Sequence, residues 1–143
     1  MTFLEALYGS QYYEISQRGK DGAKGRFNGN IFLAVFVMLI ILTIIALATT
    51  FSQEVDDKLT GKLTDMFGYG NGKAVGRLLA IPVIAILYFI ISKTVGSERN
   101  YNRLIDNFNQ LPEEEKKKAN KKVLVPFFVL LIAFFIMAMS SLF

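Results

Sequence analysis

Histidine, cysteine and tryptophan are missing from all 143 residues of the chain. Without histidine or cysteine, the usual zinc sites, haem ligation by these residues, iron–sulfur clusters, disulfides and histidine-based acid–base catalysis are excluded. We therefore expect no metal site, no cofactor and no enzymatic activity. The lack of cysteine leaves the redox compartment open.

Charge is missing from three apolar blocks. The first covers residues 31–48, with Thr43 as its polar residue, and the third covers residues 123–143. As helices they extend roughly 27 and 31 Å, close to the hydrocarbon thickness of about 30 Å. The middle block, residues 78–91, reaches that length only when residues 74–77 are added and Arg77 snorkels to the interface.

Two alternatives to three membrane spans exist. A soluble helical bundle would keep a polar stripe on its core helices, which the first and third blocks lack. A cleaved signal peptide would explain Ala46-Leu47-Ala48, which resembles a cleavage site, but the apolar run is longer than the hydrophobic region of a usual signal peptide and thirty residues precede it. The membrane interpretation is therefore preferred.

Lysine and arginine are distributed asymmetrically around these blocks. Four lie before the first block, four between the first and second, eight between the second and third, and none after it. Since positive loops stay in the cytoplasm, we expect the N-terminus and the second loop inside and the first loop and the C-terminus outside. The expected location is the plasma membrane, that is, the bacterial inner membrane.

The segment before the first block begins as an amphipathic helix. Thr2 and Glu5 have the spacing of a capping box, and one apolar face is formed by Leu4, Leu7, Tyr8, Tyr12 and Ile15. This face either lies in the membrane interface or packs on the protein's own cytoplasmic loop. Residues 18–30 contain four glycines among basic residues and are predicted to be a flexible linker.

The outer loop also carries a helical stripe, formed by Val55, Leu59, Leu63, Met66 and Phe67. Either Ser52 caps a new helix there or the first span continues outward. Glu54 and Lys58 are spaced as an ion pair. Residues 68–72, rich in glycine, are predicted to end the helix. They do not form a phosphate-binding loop, because Phe67 and Ala74 occupy positions that require glycine and serine or threonine.

The inner loop has a third amphipathic stripe, followed by a helix start. The stripe consists of Tyr101, Leu104, Ile105, Phe108 and Leu111. Pro112 and three glutamates then favour a helix that runs unbroken into the third span, with pairing of Glu113 to Lys117 and of Glu114 to Lys118. The basic residues on its first turns, Lys117, Lys118, Lys121 and Lys122, are candidate contacts with anionic lipid, although a solvated face and a stop signal explain them equally.

One packing motif is present. Gly72, Gly76 and Ala80 recur every four residues, a spacing that lets helix backbones approach closely. The contact is expected with another span of the same chain rather than with a partner subunit. Nucleic-acid binding is not expected, because acidic residues are interleaved with the cytoplasmic lysines.

These observations predict an all-α membrane protein with three transmembrane helices and amphipathic interfacial helices on both sides. The predicted segments are a cytoplasmic helix with linker, a first span, an outer helix with a glycine-rich turn, a second span, a cytoplasmic helical hairpin and a third span, over residues 1–30, 31–49, 50–73, 74–92, 93–122 and 123–143. The expected partners are the lipid bilayer and other integral membrane subunits, and homo-oligomers are left open.

The leading functional hypothesis is a non-catalytic accessory or scaffold subunit of a larger membrane complex. It depends on the missing catalytic groups and on the three amphipathic stripes, for which the sequence shows no soluble core to pack against. A self-assembling channel or transporter component is the alternative, although the predicted spans offer few polar side chains to line a pore.

Overall fold

A computed structural model describes residues 1–22, 24–52, 54, 57–58, 61 and 72–140. Within these residues the chain is all-helical, and five continuous helices are described: α1 Phe3–Gln17, α2 Lys24–Phe51, α3 Gly72–Lys93, α4 Glu98–Asn109 and α5 Glu113–Ser140. The predicted all-α class is confirmed. The predicted outer stripe and residues 68–71 of the glycine-rich turn lie outside the described residues, and Gly72 begins α3.

Two of these helices, α2 and α5, are long and apolar enough to cross a membrane. A third span is counted only if residues Ala80–Lys93 of α3 and helix α4 are taken as one span that is bent by 70°. The number of candidate spans is therefore two to three. The predicted second span at residues 74–92 lies within α3.

Helix α1 has defined signals at both ends. Glu5 donates its backbone N–H to Thr2 Oγ1 at 3.2 Å, and Thr2 donates its own to Glu5 Oε2 at 3.0 Å, which confirms the capping box. At the other end Gly19 has a φ of +71°. The N–H groups of Gly19 and Lys20 bond back to the carbonyls of Ser16 and Ile15. This pair of hydrogen bonds is a Schellman motif, and it turns the chain sharply towards α2.

Most of the buried residues cluster at one end of the molecule, around α1. This helix contacts α2, α4 and α5. We call the packed end, built from α1, α4, the first turns of α2 and α5 and the last turns of α3, the head. Its buried apolar residues are Ala6, Leu7, Tyr8, Leu33, Ala34, Ile91, Tyr101, Leu104, Ile105, Phe108, Ala119 and Val123.

The apolar faces of α1 and α4 are used inside the head. Phe108 of α4 is completely buried and lies against Gly9 of α1. Tyr8 and Tyr101 meet edge to face, with ring centroids 5.7 Å apart. The apolar face of α1 therefore packs on the protein's own loop and not in the membrane interface.

The linker prediction over residues 18–30 is wrong from Lys24 onward, where α2 begins. Gly25 and Gly29 are buried in this helix because α1 crosses it closely. A Cβ at Gly29 would lie 2.6 Å from the Tyr8 ring, and one at Gly25 would lie 3.1 Å from the backbone nitrogen of Tyr12. Glycine here serves close packing between helices rather than flexibility.

The start of α5 follows the prediction in outline and differs in detail. It is one helix from Glu113 to Ser140, as expected. In the described chain, however, Glu113 pairs with Lys116 at 3.7 Å rather than with Lys117, and it also accepts a hydrogen bond from Tyr13. Docking on α1 thus selects a different partner. The predicted pair of Glu54 and Lys58 is confirmed at 2.8 Å.

Candidate functional site

A buried polar network joins α1, α2 and the end of α3. The Tyr8 hydroxyl donates to Asn30 Oδ1 at 2.7 Å, and Asn30 Nδ2 donates to the Gly96 carbonyl at 3.3 Å. Arg26 Nε donates to the same carbonyl at 2.8 Å, and its Nη2 reaches the Ser92 carbonyl at 3.3 Å. Ser92 lies in the last turn of α3, where carbonyls lack partners within the helix, and Gly96 lies in the turn that follows. These donors therefore satisfy carbonyls that the helix leaves unpaired.

Gly96 is required by this network. A Cβ there would lie 1.8 Å from Asn30 Oδ1 and 2.7 Å from the Tyr8 hydroxyl. Because Asn30 is only 1% exposed, it has no room to withdraw. The turn between α3 and α4 therefore approaches α2 as closely as a residue without a side chain allows.

The two buried phenols of the head are held protonated. Burial raises the pKa of Tyr8 to about 12, partly offset by the nearby Arg26 charge. Burial likewise raises the pKa of Tyr101 to about 12, and its hydroxyl donates to the Gly22 carbonyl at 2.7 Å. Near neutral pH both groups therefore act as hydrogen-bond donors and structural anchors rather than as bases.

A polar cleft of about 640 Å³ opens beside this network. Its lining combines carboxylates, amides, phenols and one guanidinium, from Tyr12, Asp21, Arg26, Glu98, Tyr101, Asn102, Ile105, Asp106 and Asn109. Among the described residues, no three acidic side chains are placed to hold a metal ion. We call this polar cleft the acidic cleft.

A second cavity, of about 360 Å³, lies where α1 turns into α2. We call it the basic recess, and its lining residues are Ile15, Arg18, Lys20, Lys24, Phe27 and Asn28. None of these six residues is acidic. The Phe27 ring is 55% exposed and meets Tyr88 of α3 edge to face, with centroids 5.7 Å apart.

The predicted packing residues Gly72, Gly76 and Ala80 lie on the first turns of α3, which contacts α2. Ala80 is partly buried. Their role in bringing helices together stays a prediction.

The four predicted lipid-contacting lysines are exposed on the first turns of α5 but do not share one site. Lys117 lines a cavity of about 250 Å³ together with Glu14 and Tyr13 of α1. Lys122 donates to the carbonyl of Met1. Lys118 and Lys121 are exposed on the same turns. Contact with anionic lipid stays a prediction for all four.

Sequence reasoning missed the polar network. Asn30 directly precedes the first apolar block and looked like the end of a linker, and Gly96 lies 66 residues away from it. No local pattern connects them. The spacing of Gly25 and Gly29 was a usable signal, because it repeats the four-residue interval noted at Gly72, Gly76 and Ala80.

The fold and its cavities thus define a helical protein with a packed head and two to three helices long and apolar enough to cross a membrane. Comparison with protein families, characterised proteins and solved structures gives no match.

Proposed function

We propose that the chain is a non-catalytic accessory or scaffold subunit of a larger membrane complex, placed in the bacterial inner membrane. The observation that carries this proposal is the contrast between the packed head and the uncovered helices. In the most apolar window of α5 only 6% of the residues are buried, and in that of α2 only 22% are. Such faces require lipid or other transmembrane helices as neighbours.

Three spans fit this arrangement better than two. α2 leaves the head, and α4 lies in the head, so the chain must return between them. The end of α3 lies beside the start of α2, where Arg26 and Asn30 bond to Ser92 and Gly96. If α2 crosses the bilayer, α3 is then the returning span, and its 22 residues extend about 33 Å.

The head is assigned to the cytoplasm. Residues 1–30 and 93–122, which include α1, α4 and the starts of α2 and α5, carry twelve of the sixteen lysines and arginines. Basic residues near span ends stay in the cytoplasm. The C-terminus is then outside, because α5 starts in the head.

Two hydroxyl groups on the apolar helices favour the role of a scaffold and disfavour that of a polar pore. Thr43 donates to the Leu39 carbonyl at 2.8 Å and Ser140 to the Met137 carbonyl at 2.8 Å. A hydroxyl bonded to its own helix contributes little to the hydration of an ion.

Purification in a gentle detergent followed by native mass spectrometry tests the proposal. We expect the full chain with a different membrane protein at fixed stoichiometry. Variants in which exposed apolar residues of α5 are changed, such as Ile132→Trp or Ile136→Trp, should reduce this recovery, whereas Leu124→Trp near the head is a matched control on the same helix. A monodisperse monomer would contradict the proposal, and a homo-oligomer alone would favour a self-assembling channel or carrier.

A further inference from the structure

The scaffold role makes no use of the basic recess. Arg18, Lys20 and Lys24 direct three positive charges to one cavity, and in the described chain none of them forms an ion pair. Asp21, the acid of the same turn, lines the acidic cleft instead. The turn therefore separates its charges into a basic and an acidic side.

The backbone fixes the Cα positions of these three residues around the recess. Arg18 and Lys20 flank Gly19, whose Schellman motif fixes the end of α1. Lys24 is the first residue of α2, and its N–H bonds to the carbonyl of Asp21 at 3.2 Å. A fixed backbone lowers the conformational entropy that is lost when three long side chains gather around one anion.

The recess also lies at the depth of lipid headgroups, given the proposed placement of α2 in the membrane. Lys24 precedes the first apolar block at residue 31 by seven residues, or roughly 10 Å of helix. Phe27 precedes it by four, or roughly 6 Å. The polar headgroup layer is about 5–8 Å thick on each side of the hydrocarbon. By these lengths Lys24 lies at the outer edge of the headgroup layer, within side-chain reach of the phosphates, and Phe27 lies within the layer, nearer the acyl chains.

We propose that the basic recess binds the phosphate of an anionic phospholipid from the leaflet on the side of the head. Arg18, Lys20 and Lys24 contact the phosphate and the negative headgroup, while the exposed face of Phe27 packs on the upper part of an acyl chain. The apolar wall distinguishes a lipid from free phosphate, which would gain nothing from Phe27. This inference rests on the proposed membrane placement but on no partner subunit.

The chain has no tryptophan, so one indole can report on the recess alone. The Phe27→Trp variant of the full chain is reconstituted in vesicles of phosphatidylcholine and phosphatidylglycerol, with bromine on the acyl chains of one lipid or the other. We expect stronger quenching by brominated phosphatidylglycerol. Adding Lys20→Gln and Lys24→Gln should lower this preference by roughly threefold to fivefold for each lysine.

A control pair of substitutions distinguishes a specific lipid site from general attraction between the basic protein and anionic lipid. Arg99→Gln with Arg103→Gln removes the same charge from a cavity whose lining residues, Ser97, Arg99, Asn100 and Arg103, are all polar. This pair should leave the preference unchanged. An equal loss with both pairs, or no preference in the Phe27→Trp variant, overturns the proposal. Inorganic phosphate that relieves quenching at constant ionic strength would overturn the lipid assignment.

A second indole tests the membrane placement by itself. Phe128→Trp puts the reporter on an exposed position of α5, where brominated phosphatidylcholine and phosphatidylglycerol should quench equally. Quenching there without preference at position 27 contradicts the lipid site alone. Absence of quenching at both positions contradicts the membrane placement and the site with it.

Discussion

Gly96 occupies a position where any side chain collides with the buried hydrogen bond between Tyr8 and Asn30. We expect Gly96→Ala to destabilise the protein by about 2 kcal/mol or more, because the new methyl overpacks the site and displaces a buried polar pair. The φ of Gly96 is not positive, so the space rather than the backbone conformation requires glycine. Unfolding in mixed micelles, followed by circular dichroism, measures the effect.

Gly61→Ala is the matched control for this substitution. Gly61 is helical, and a Cβ there meets no atom of the described part of the chain within 4 Å. Alanine is preferred over glycine in a helix, so the control should be neutral or slightly stabilising. Equal stability of the two variants would mean that the α3–α4 turn does not press on Asn30 as described.

Tyr8 and Tyr101 predict how stability depends on pH. Their folded pKa of about 12 exceeds the ordinary value of 10.0, so the native state keeps both protons while the unfolded chain loses them. Their contribution to stability is complete below about pH 10 and is lost as the pH rises through about 12. Phenolate absorbance should therefore show Tyr8 and Tyr101 ionising late, together with the loss of helical signal.

Single substitutions show which tyrosines ionise in the late phase of the titration. Tyr8→Phe and Tyr101→Phe should each remove one late-titrating phenol and leave the earlier phase intact. A variant that removes amplitude only near pH 10 would show that its tyrosine is accessible to water.

Helix α1 holds the head together, since it is the element that α2, α4 and α5 all contact. Leu7 of α1 is 1% exposed. We expect Leu7→Ala to cost about 3 kcal/mol, the usual range for a buried leucine whose cavity only partly collapses. Leu42→Ala, at an exposed position of α2, should cost less than about 1 kcal/mol. Proteolysis of the head should accelerate in the first variant only.

The apolar stripes could be predicted from the sequence, but their partners could not. Helical spacing identified the buried residues of α4, Tyr101, Leu104, Ile105 and Phe108, because the period depends on nearby residues alone. The same pattern left α1 with two environments. Which environment α1 occupies depends on close packing: Gly9 leaves room for the Phe108 ring, and Gly25 and Gly29 leave room for α1. Such complementarity between distant segments has no local signature.

At the scale of the whole molecule, the head links the directions of the long helices. α2 and α5 both start in it, and their inner ends meet where Phe32 and Phe127 pack with ring centroids 5.1 Å apart. α3 ends in it, beside Arg26. The proposed topology is therefore one linked hypothesis: if the head is cytoplasmic and α2 crosses, the far ends of all three helices lie together on the other side.

The absence of cysteine makes this topology testable with single thiols. We expect Ser16→Cys and Asn109→Cys, both exposed in the head, to be protected from an impermeant maleimide in intact cells and labelled after permeabilisation. Lys58→Cys and Ser140→Cys, exposed beyond the ends of α2 and at the end of α5, should label without permeabilisation. The reason is that the apolar helices bury their backbone hydrogen bonds and cross the hydrocarbon, whereas the charged head cannot. Protection of Ser140→Cys together with the head would remove α5 as a span. Labelling of the two head positions in intact cells, with protection of Lys58→Cys and Ser140→Cys, would place the head outside.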